Sequence, residues 1–222
     1  MHFTCNGTPL KIDIAHCTVA GWTGRDRTAI DHHIEELAAI GVTPPSAVPL
    51  YYRVSPDLLT QKADIQVVGD NTSGEVEPLL VRNNGKTYIG LASDHTDRTL
   101  EAHSVAHSKQ VCAKPCAGEL WEFAPIAERL DELQLRSWIV ENGKKTLYQE
   151  GTLASIRPLE ELIKGAGLLA AAGEQAAAML CGTFGVQGGV RPAAEFHMEL
   201  HDPAADRSIR HSYRITPLPV VA

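Results

Sequence analysis

The 222-residue sequence is missing several features, and each absence removes a class of protein. No apolar run approaches the roughly 18 residues that a bilayer-crossing helix needs, so no membrane span is expected. The opening MHFTCNGTPLKIDIAH has no basic segment followed by an apolar core, which is the pattern of an export signal. A cytoplasmic location is the expectation. Basic runs are also missing: the longest is a Lys-Lys pair in a chain of net charge -7. That balance argues against nucleic acid and anionic membrane surfaces as partners. The five cysteines show no regular spacing, as expected in a reducing compartment. Cys112 and Cys116 form a C-x3-C pair, but no second pair completes a zinc site. Internal repeats, low-complexity tracts and linkers are absent too, so residues 1–222 are expected to form a single domain.

What is present is mostly strand-like. MHFTC and LKIDIAHCTVAGWTG flank an Asn-Gly turn and read as an N-terminal hairpin. Residues 28–41 carry Ile30, Ile34, Leu37 and Ala38 on one helical face, with Gly41 as a stop. The proline-rich TPPSAVP is a loop, and LYYRVS is a short strand. From Ile65 onward, IQVVGD, GEVEPLLVR and KTYIGLASD read as strands, the last two joined through NNG. DRTLEAHSVAHSKQ and SIRPLEELIKGAG are helical, and LRSWIVENGKKTLYQEG is a hairpin through Asn142-Gly143. AEFHMELHD and SIRHSYRIT form a final hairpin. The segment 168–189 stays open, because its alanines favour a helix while its glycines favour a loop after a strand. The sum is a β-rich α+β protein. Residues 1–60 supply a hairpin, a helix and a lid segment, and residues 61–222 the β core.

Chemistry concentrates in SGEVEPLLVRNNGKTYIGLASDHTDR, residues 73–98. Residues two apart on a strand share a face, so Glu75 and Glu77 converge. Two carboxylates that close repel unless a cation lies between them. A hard divalent ion takes carboxylate oxygens and keeps positions for water or substrate. Asp94 or Asp97, at the end of the next strand, would supply a third oxygen ligand. An isolated E-x-E is more often a solvated strand face; apolar flanks and a neighbouring carboxylate distinguish this one.

In these motifs the sequence resembles the fumarylacetoacetate hydrolase superfamily in its compact single-domain form, and within it a bacterial subfamily of unassigned function. The superfamily runs E-x-E, a strand, then an aspartate in N-D-x-(S/T)-x-R; this chain has EVE and SDHTDR. SKQ places Lys109 where an active-site lysine is expected. VENGKKTLYQEGT resembles the superfamily's hairpin, and CGTFGVQGG resembles its TGTPxGVG loop. GRDRTAIDHHIEEL resembles GRNYxxHxxE, and LYYRVS resembles a strand that carries a lysine, here Arg53. The likeness runs from about residue 20 to 210. It departs from the pattern where Cys112 replaces an aspartate, Phe184 a proline and Arg53 a lysine. The segment between Glu77 and Asp94 is also short.

The resemblance implies a mixed β-roll or barrel with a few short helices. It implies Glu75, Glu77 and Asp94 as ligands of Mg2+ or Mn2+ (Ca2+ being a further option), and a homodimer. It assigns substrate contacts to Arg98, Thr183, Gly182 and Arg53. The implied activity is hydrolysis of a C–C bond in an acylpyruvate, a 1,3-dicarbonyl or a related 2-oxo acid. Metal polarisation of the carbonyl and a His–Glu-activated water would drive it. His32 with Glu35, or His33 with Glu36, would be that pair; both have helical i, i+3 spacing. Lys109 and Arg98 would face a substrate carboxylate or oxyanion. The alternatives are a lyase of the same fold, decarboxylating oxaloacetate-type acids or dehydrating 2-keto-3-deoxy sugar acids, and a non-catalytic small-molecule binder. Cys112 as a nucleophile is disfavoured, because no base is paired with it in sequence.

Overall fold

The fold is taken from a computed structural model that describes residues 1–39, 43–168 and 175–221, without the side chains of His33, Glu36 and Leu37. In chain order the strands are β1 (His2–Cys5), β2 (Thr8–Lys11), β3 (Ile14–Gly21), β4 (Leu50–Val54), β5 (Leu59–Thr60), β6 (Asp64–Val68), β7 (Thr72–Ser73), β8 (Val76–Asn83) and β9 (Lys86–Ser93). They continue as β10 (Thr96–Asp97), β11 (Lys114–Pro115), β12 (Glu119–Glu122), β13 (Gln134–Glu141), β14 (Lys144–Thr152), β15 (Ala176–Leu180), β16 (Glu195–Asp202) and β17 (Arg207–Leu218). The helices are α1 (Arg27–Ala39), α2 (Arg98–Glu101), α3 (Val105–Val111) and α4 (Leu159–Gly165), and 3-10 turns include Ala124–Glu132.

An eight-stranded sheet runs β2-β1-β12-β9-β8-β15-β3-β4, and a five-stranded sheet runs β14-β13-β16-β17-β6. The chain is thus a β-rich α+β protein. Three hairpins turn at Asn6-Gly7, Asn84-Gly85 and Asn142-Gly143, with both turn residues at positive φ, the geometry that matches strand twist. One core cluster joins Leu80, Ile89 and Leu91 of the large sheet to Leu135, Phe196, Leu200 and Tyr213 of the small one. A second holds Phe3, Val19, Val54, Leu79, Val81 and Leu180. These residues come from the large sheet itself, so that sheet curls and buries its other face within the curl. This explains why β8 and β9 read as continuous apolar runs rather than as alternating ones.

Three sequence expectations change. The N-terminal segment is not one hairpin: only Thr8–Lys11 pairs with β1, and β3 crosses to the far side of the sheet, between β15 and β4. Residues 97–110 form two helices, because Ser104 interrupts the run and caps α3, its hydroxyl accepting from the His107 N–H. Of the open segment 168–189, Ala176–Leu180 is strand β15, parallel to β3 and antiparallel to β8, with every residue of the strand buried, while residues 169–174 lie outside the described residues. Small side chains suit a central strand covered on both faces, and this outweighs alanine's helix preference.

Candidate active site

The antiparallel pairing of β8 and β9 builds the site. Val76 lies opposite Ser93 and Glu77 opposite Ala92. Past the strand ends, the Asp94 N–H donates to the Glu75 carbonyl at 3.0 Å. Glu75, Glu77 and Asp94 are thereby gathered at one end of the pair. One oxygen of each lies within 4.8 Å of those of the other two. Glu77 is 2% and Asp94 0% exposed, so this is a buried cage rather than a solvated strand face. Asp97 is not part of it, because its carboxylate caps α2 by accepting from the Leu100 N–H at 2.9 Å.

Three cations surround the cage. Lys109, on α3, places its Nζ on Asp94 Oδ2. Lys114, fully buried on β11, stands 2.9 Å from Asp94 Oδ1 and donates to the His95 carbonyl at 2.6 Å. Arg98, at the start of α2, lies 3.0 Å from Glu75 and donates to Glu101 at 2.7 Å and to the Ser73 hydroxyl at 2.7 Å. Burial alone would raise the Asp94 carboxyl's pKa, but Lys109 and Lys114 outweigh burial and hold it below the usual range. Burial, then the charge on Asp94, pushes Glu77 well above its usual value, against the pull of Lys109. Burial works against the Lys109 ammonium, yet Asp94, Glu75 and Glu77 outweigh it and raise its pKa.

The far side of the cage is set by the loop after β15. The Gly182 N–H donates to Glu77 Oε2 at 2.7 Å. Gly182 has φ +92°, and an added Cβ would collide with the Thr23 side chain, so only glycine lets this amide reach the carboxylate. The Thr183 hydroxyl donates to the Val76 carbonyl at 2.7 Å and accepts from Gln149 Nε2 at 2.8 Å. Gln149 Oε1 in turn accepts from the Val76 N–H at 3.0 Å and the Ser137 hydroxyl at 2.9 Å. This network fixes the start of β8, and with it both glutamates.

The remaining expected residues lie elsewhere. Arg53 is exposed on β4, whereas the next residue back, Tyr52, turns its ring towards Lys109, 5.6 Å from Nζ. Adjacent strand residues face opposite ways, so Tyr52 is the β4 side chain beside the cage. Its hydroxyl accepts from the Trp22 indole at 3.2 Å, and Trp22 holds the uncommon φ of +60°. His32 and Glu35 are exposed on α1; the side chains of His33 and Glu36 lie outside the described residues. Cys112 is buried, and burial pushes its thiol up to about 11, which disfavours a thiolate nucleophile.

Lys114, Gln149 and Tyr52 were not singled out from the sequence. One signal pointed to Lys114: a charged residue inside the otherwise uncharged stretch VCAKPCAG, where burial demands a partner. His95 bridges the Tyr213 hydroxyl (3.0 Å) and the Thr72 hydroxyl (2.9 Å). Burial, with the charges of Lys114 and Arg98, drives its pKa down to about 3. It is a neutral imidazole beneath Asp94.

The donor set suits a hard divalent cation, which takes carboxylate oxygens. Asp94 Oδ1 is fully buried and accepts no hydrogen bond among the described residues, despite its ion-pair contact with Lys114. A buried oxygen held only by an ion-pair contact, at the meeting point of three carboxylates, suits a cation site.

Solved structures share this architecture. A magnesium and 2,5-dioxopentanoate complex of 2-keto-3-deoxy-D-arabinonate dehydratase aligns over 93% of this chain and 75% of its own, at TM-score 0.62 and 18% identity. Cg1458 with inhibitor aligns over 92% of this chain and 78% of its own, at TM-score 0.63 and 13% identity. At such identities the likeness is one of fold: the chain shares the fold of these proteins, in keeping with the fold expected from the sequence resemblance. By sequence, residues 20–213 match the family described as "Protein of unknown function (DUF2848)", and the chain belongs to that family. No curated protein matches the sequence.

Proposed function

We propose that this chain is an enzyme that binds Mg2+ or Mn2+ at Glu75, Glu77 and Asp94 and cleaves a bond in a small anionic 2-oxo acid or 1,3-dicarbonyl compound. The observation that carries this reading is the buried cage itself, with three carboxylate oxygens inside 4.8 Å and two lysines on Asp94. When bound, the ion supplies Lewis-acid stabilisation of enolate charge. The chain's own residues prepare the site. Arg98 anchors Glu75, the Gly182 amide anchors Glu77, and Lys114 anchors Asp94. The Lys109 ammonium offers a partner to a substrate carboxylate or oxyanion. Tyr52 and Trp22 form an aromatic wall beside it.

Between lyase and hydrolase, we favour the lyase. The buried surroundings of the cage offer ammonium groups, and the imidazole beneath Asp94 has both nitrogens engaged. Of the two pairs expected to activate water for hydrolysis, His32 and Glu35 are exposed on α1, and the side chains of His33 and Glu36 lie outside the described residues. The magnesium-bound structural neighbour is a dehydratase, which supports the same choice.

The test is calorimetric titration of metal-stripped protein with Mg2+ and Mn2+, with and without oxalate, beside a Glu75→Ala/Glu77→Ala variant. Binding lost in the variant supports the reading. Absence of binding to the wild type even with oxalate overturns it. Turnover of a 2-keto-3-deoxy sugar acid or oxaloacetate that survives a His32→Ala/His33→Ala change supports the lyase. Turnover of acylpyruvates abolished by that change supports the hydrolase.

A further inference from the structure

Lys109 stands in an unusual place for a lysine. It is buried, 6% exposed, and its ammonium touches Asp94 while the charges of Glu75 and Glu77 also act on it. The other two cations at the cage are anchored outside it: Lys114 to the His95 carbonyl, Arg98 to Glu101 and Ser73. Lys109, Lys114 and Arg98 already face these carboxylates, so the pocket is close to electrical balance without a metal. A divalent ion added beside all three would leave surplus positive charge. In a buried site like charges a few ångströms apart repel strongly.

We propose that Lys109 and a divalent cation are alternative partners of the Asp94, Glu75 and Glu77 carboxylates, so that the lysine holds the cage closed and weakens metal entry until an anionic substrate arrives. This rests on the metal reading of the cage given above. Lys109 has somewhere to go: its Nζ is already 5.6 Å from the centre of the Tyr52 ring, a distance at which an aromatic face attracts a cation. An anionic ligand that chelates the metal removes the surplus positive charge and gives the displaced ammonium a carboxylate partner. Metal and chelating anion therefore bind cooperatively, and each strengthens the other by the same factor.

The experiment is calorimetry of Mg2+ binding to the wild type, Lys109→Met and Lys109→Arg, each with and without oxalate, together with thermal unfolding with and without Mg2+. Lys109→Met is expected to bind Mg2+ alone at least about ten-fold more tightly than wild type, and Lys109→Arg, which keeps the charge, is not. Oxalate is expected to strengthen Mg2+ binding more in wild type than in Lys109→Met. Lys109→Met should also unfold at a lower temperature without metal and show the larger Mg2+-induced rise. If that variant does not fold without metal, Lys109→Gln takes its place in the same measurements. Equal or weaker Mg2+ affinity in the uncharged variants, with binding still abolished by Glu75→Ala/Glu77→Ala, overturns the competition and leaves the metal site standing. Mg2+ binding that survives loss of both glutamates overturns the metal site and the competition with it.

Discussion

Two aspartates in this molecule have no exposure to solvent and two cations each. Asp94 sits between Lys109 and Lys114; Asp202 sits between Arg129 and Arg207. Both Asp202 oxygens accept hydrogen bonds. Its Oδ1 accepts from Arg129 and from the Ala205 N–H at 3.3 Å, and its Oδ2 from Arg207 at 3.1 Å. It ties the 3-10 segment at 124–132 to the β16–β17 hairpin, and Arg207 lies over the Trp121 ring at 4.2 Å. Asp94 keeps an oxygen without a hydrogen bond and has two further carboxylates beside it. The same local pairing thus makes a clamp where both oxygens are hydrogen-bonded. Where the carboxylate instead meets two others, it makes the candidate cation site.

Asp94→Ala should break this contrast most severely. It strands two buried ammonium groups, so a loss of about 3–5 kcal/mol of stability is expected, with Mg2+ binding abolished; urea denaturation and calorimetry check both. Asp202→Asn should cost about 2–3 kcal/mol at pH 7 and leave Mg2+ affinity unchanged. Its pH dependence has a defined sign. Burial opposes ionisation, but Arg129 and Arg207 prevail and lower the native pKa beneath its ordinary 3.8. Its contribution is therefore complete above that value and fades as the pH falls through the native pKa. The stability gap between wild type and Asp202→Asn should narrow below about pH 4. A gap constant from pH 7 to 3 would refute the clamp.

Smaller effects sharpen the site side of the comparison. Gly182→Ala forces a Cβ into a left-handed backbone and against Thr23. A cost of about 1–2 kcal/mol is expected, with weaker Mg2+ binding because Glu77 loses its amide anchor. An unchanged titration would show that the anchor is dispensable. Alkylation at neutral pH should do least: with its thiol near 11 and buried, Cys112 should resist iodoacetamide, and turnover should persist. Rapid inactivation mapped to Cys112 would contradict this.

Much of the site was legible in the sequence, because strand periodicity is local. E-x-E on an apolar run places two carboxylates on one face, and a two-residue Asn-Gly turn fixes the register that brings Asp94 opposite Glu75. The choice between Asp94 and Asp97 was not legible in periodicity. It depended on which carboxylate caps α2, and a capping contact competes with metal ligation only once the helix start is placed. Lys114, Gln149 and Tyr52 were hidden for another reason. They reach the cage from β11, β14 and β4, and nothing in their neighbours' spacing records where those strands end. The fate of β15 was open in the same way, since alanine fits a helix alone and a strand only when both faces are covered.

The sequence by itself determined most of the strands, their turns, the absence of a long apolar helix and the meeting of Glu75 and Glu77 on one face, with a third carboxylate at the end of the next strand. These follow from side-chain alternation, turn stereochemistry and like-charge repulsion, which act over a few residues. Only the tertiary structure decided which cations meet those carboxylates and that Glu77 and Asp94 lose all but a trace of solvent. It also decided that a glycine amide 105 residues away holds Glu77. Those outcomes depend on how a curled sheet brings distant strand ends together, and burial, which sets the strength of every charge interaction there, exists only once the sheet has closed.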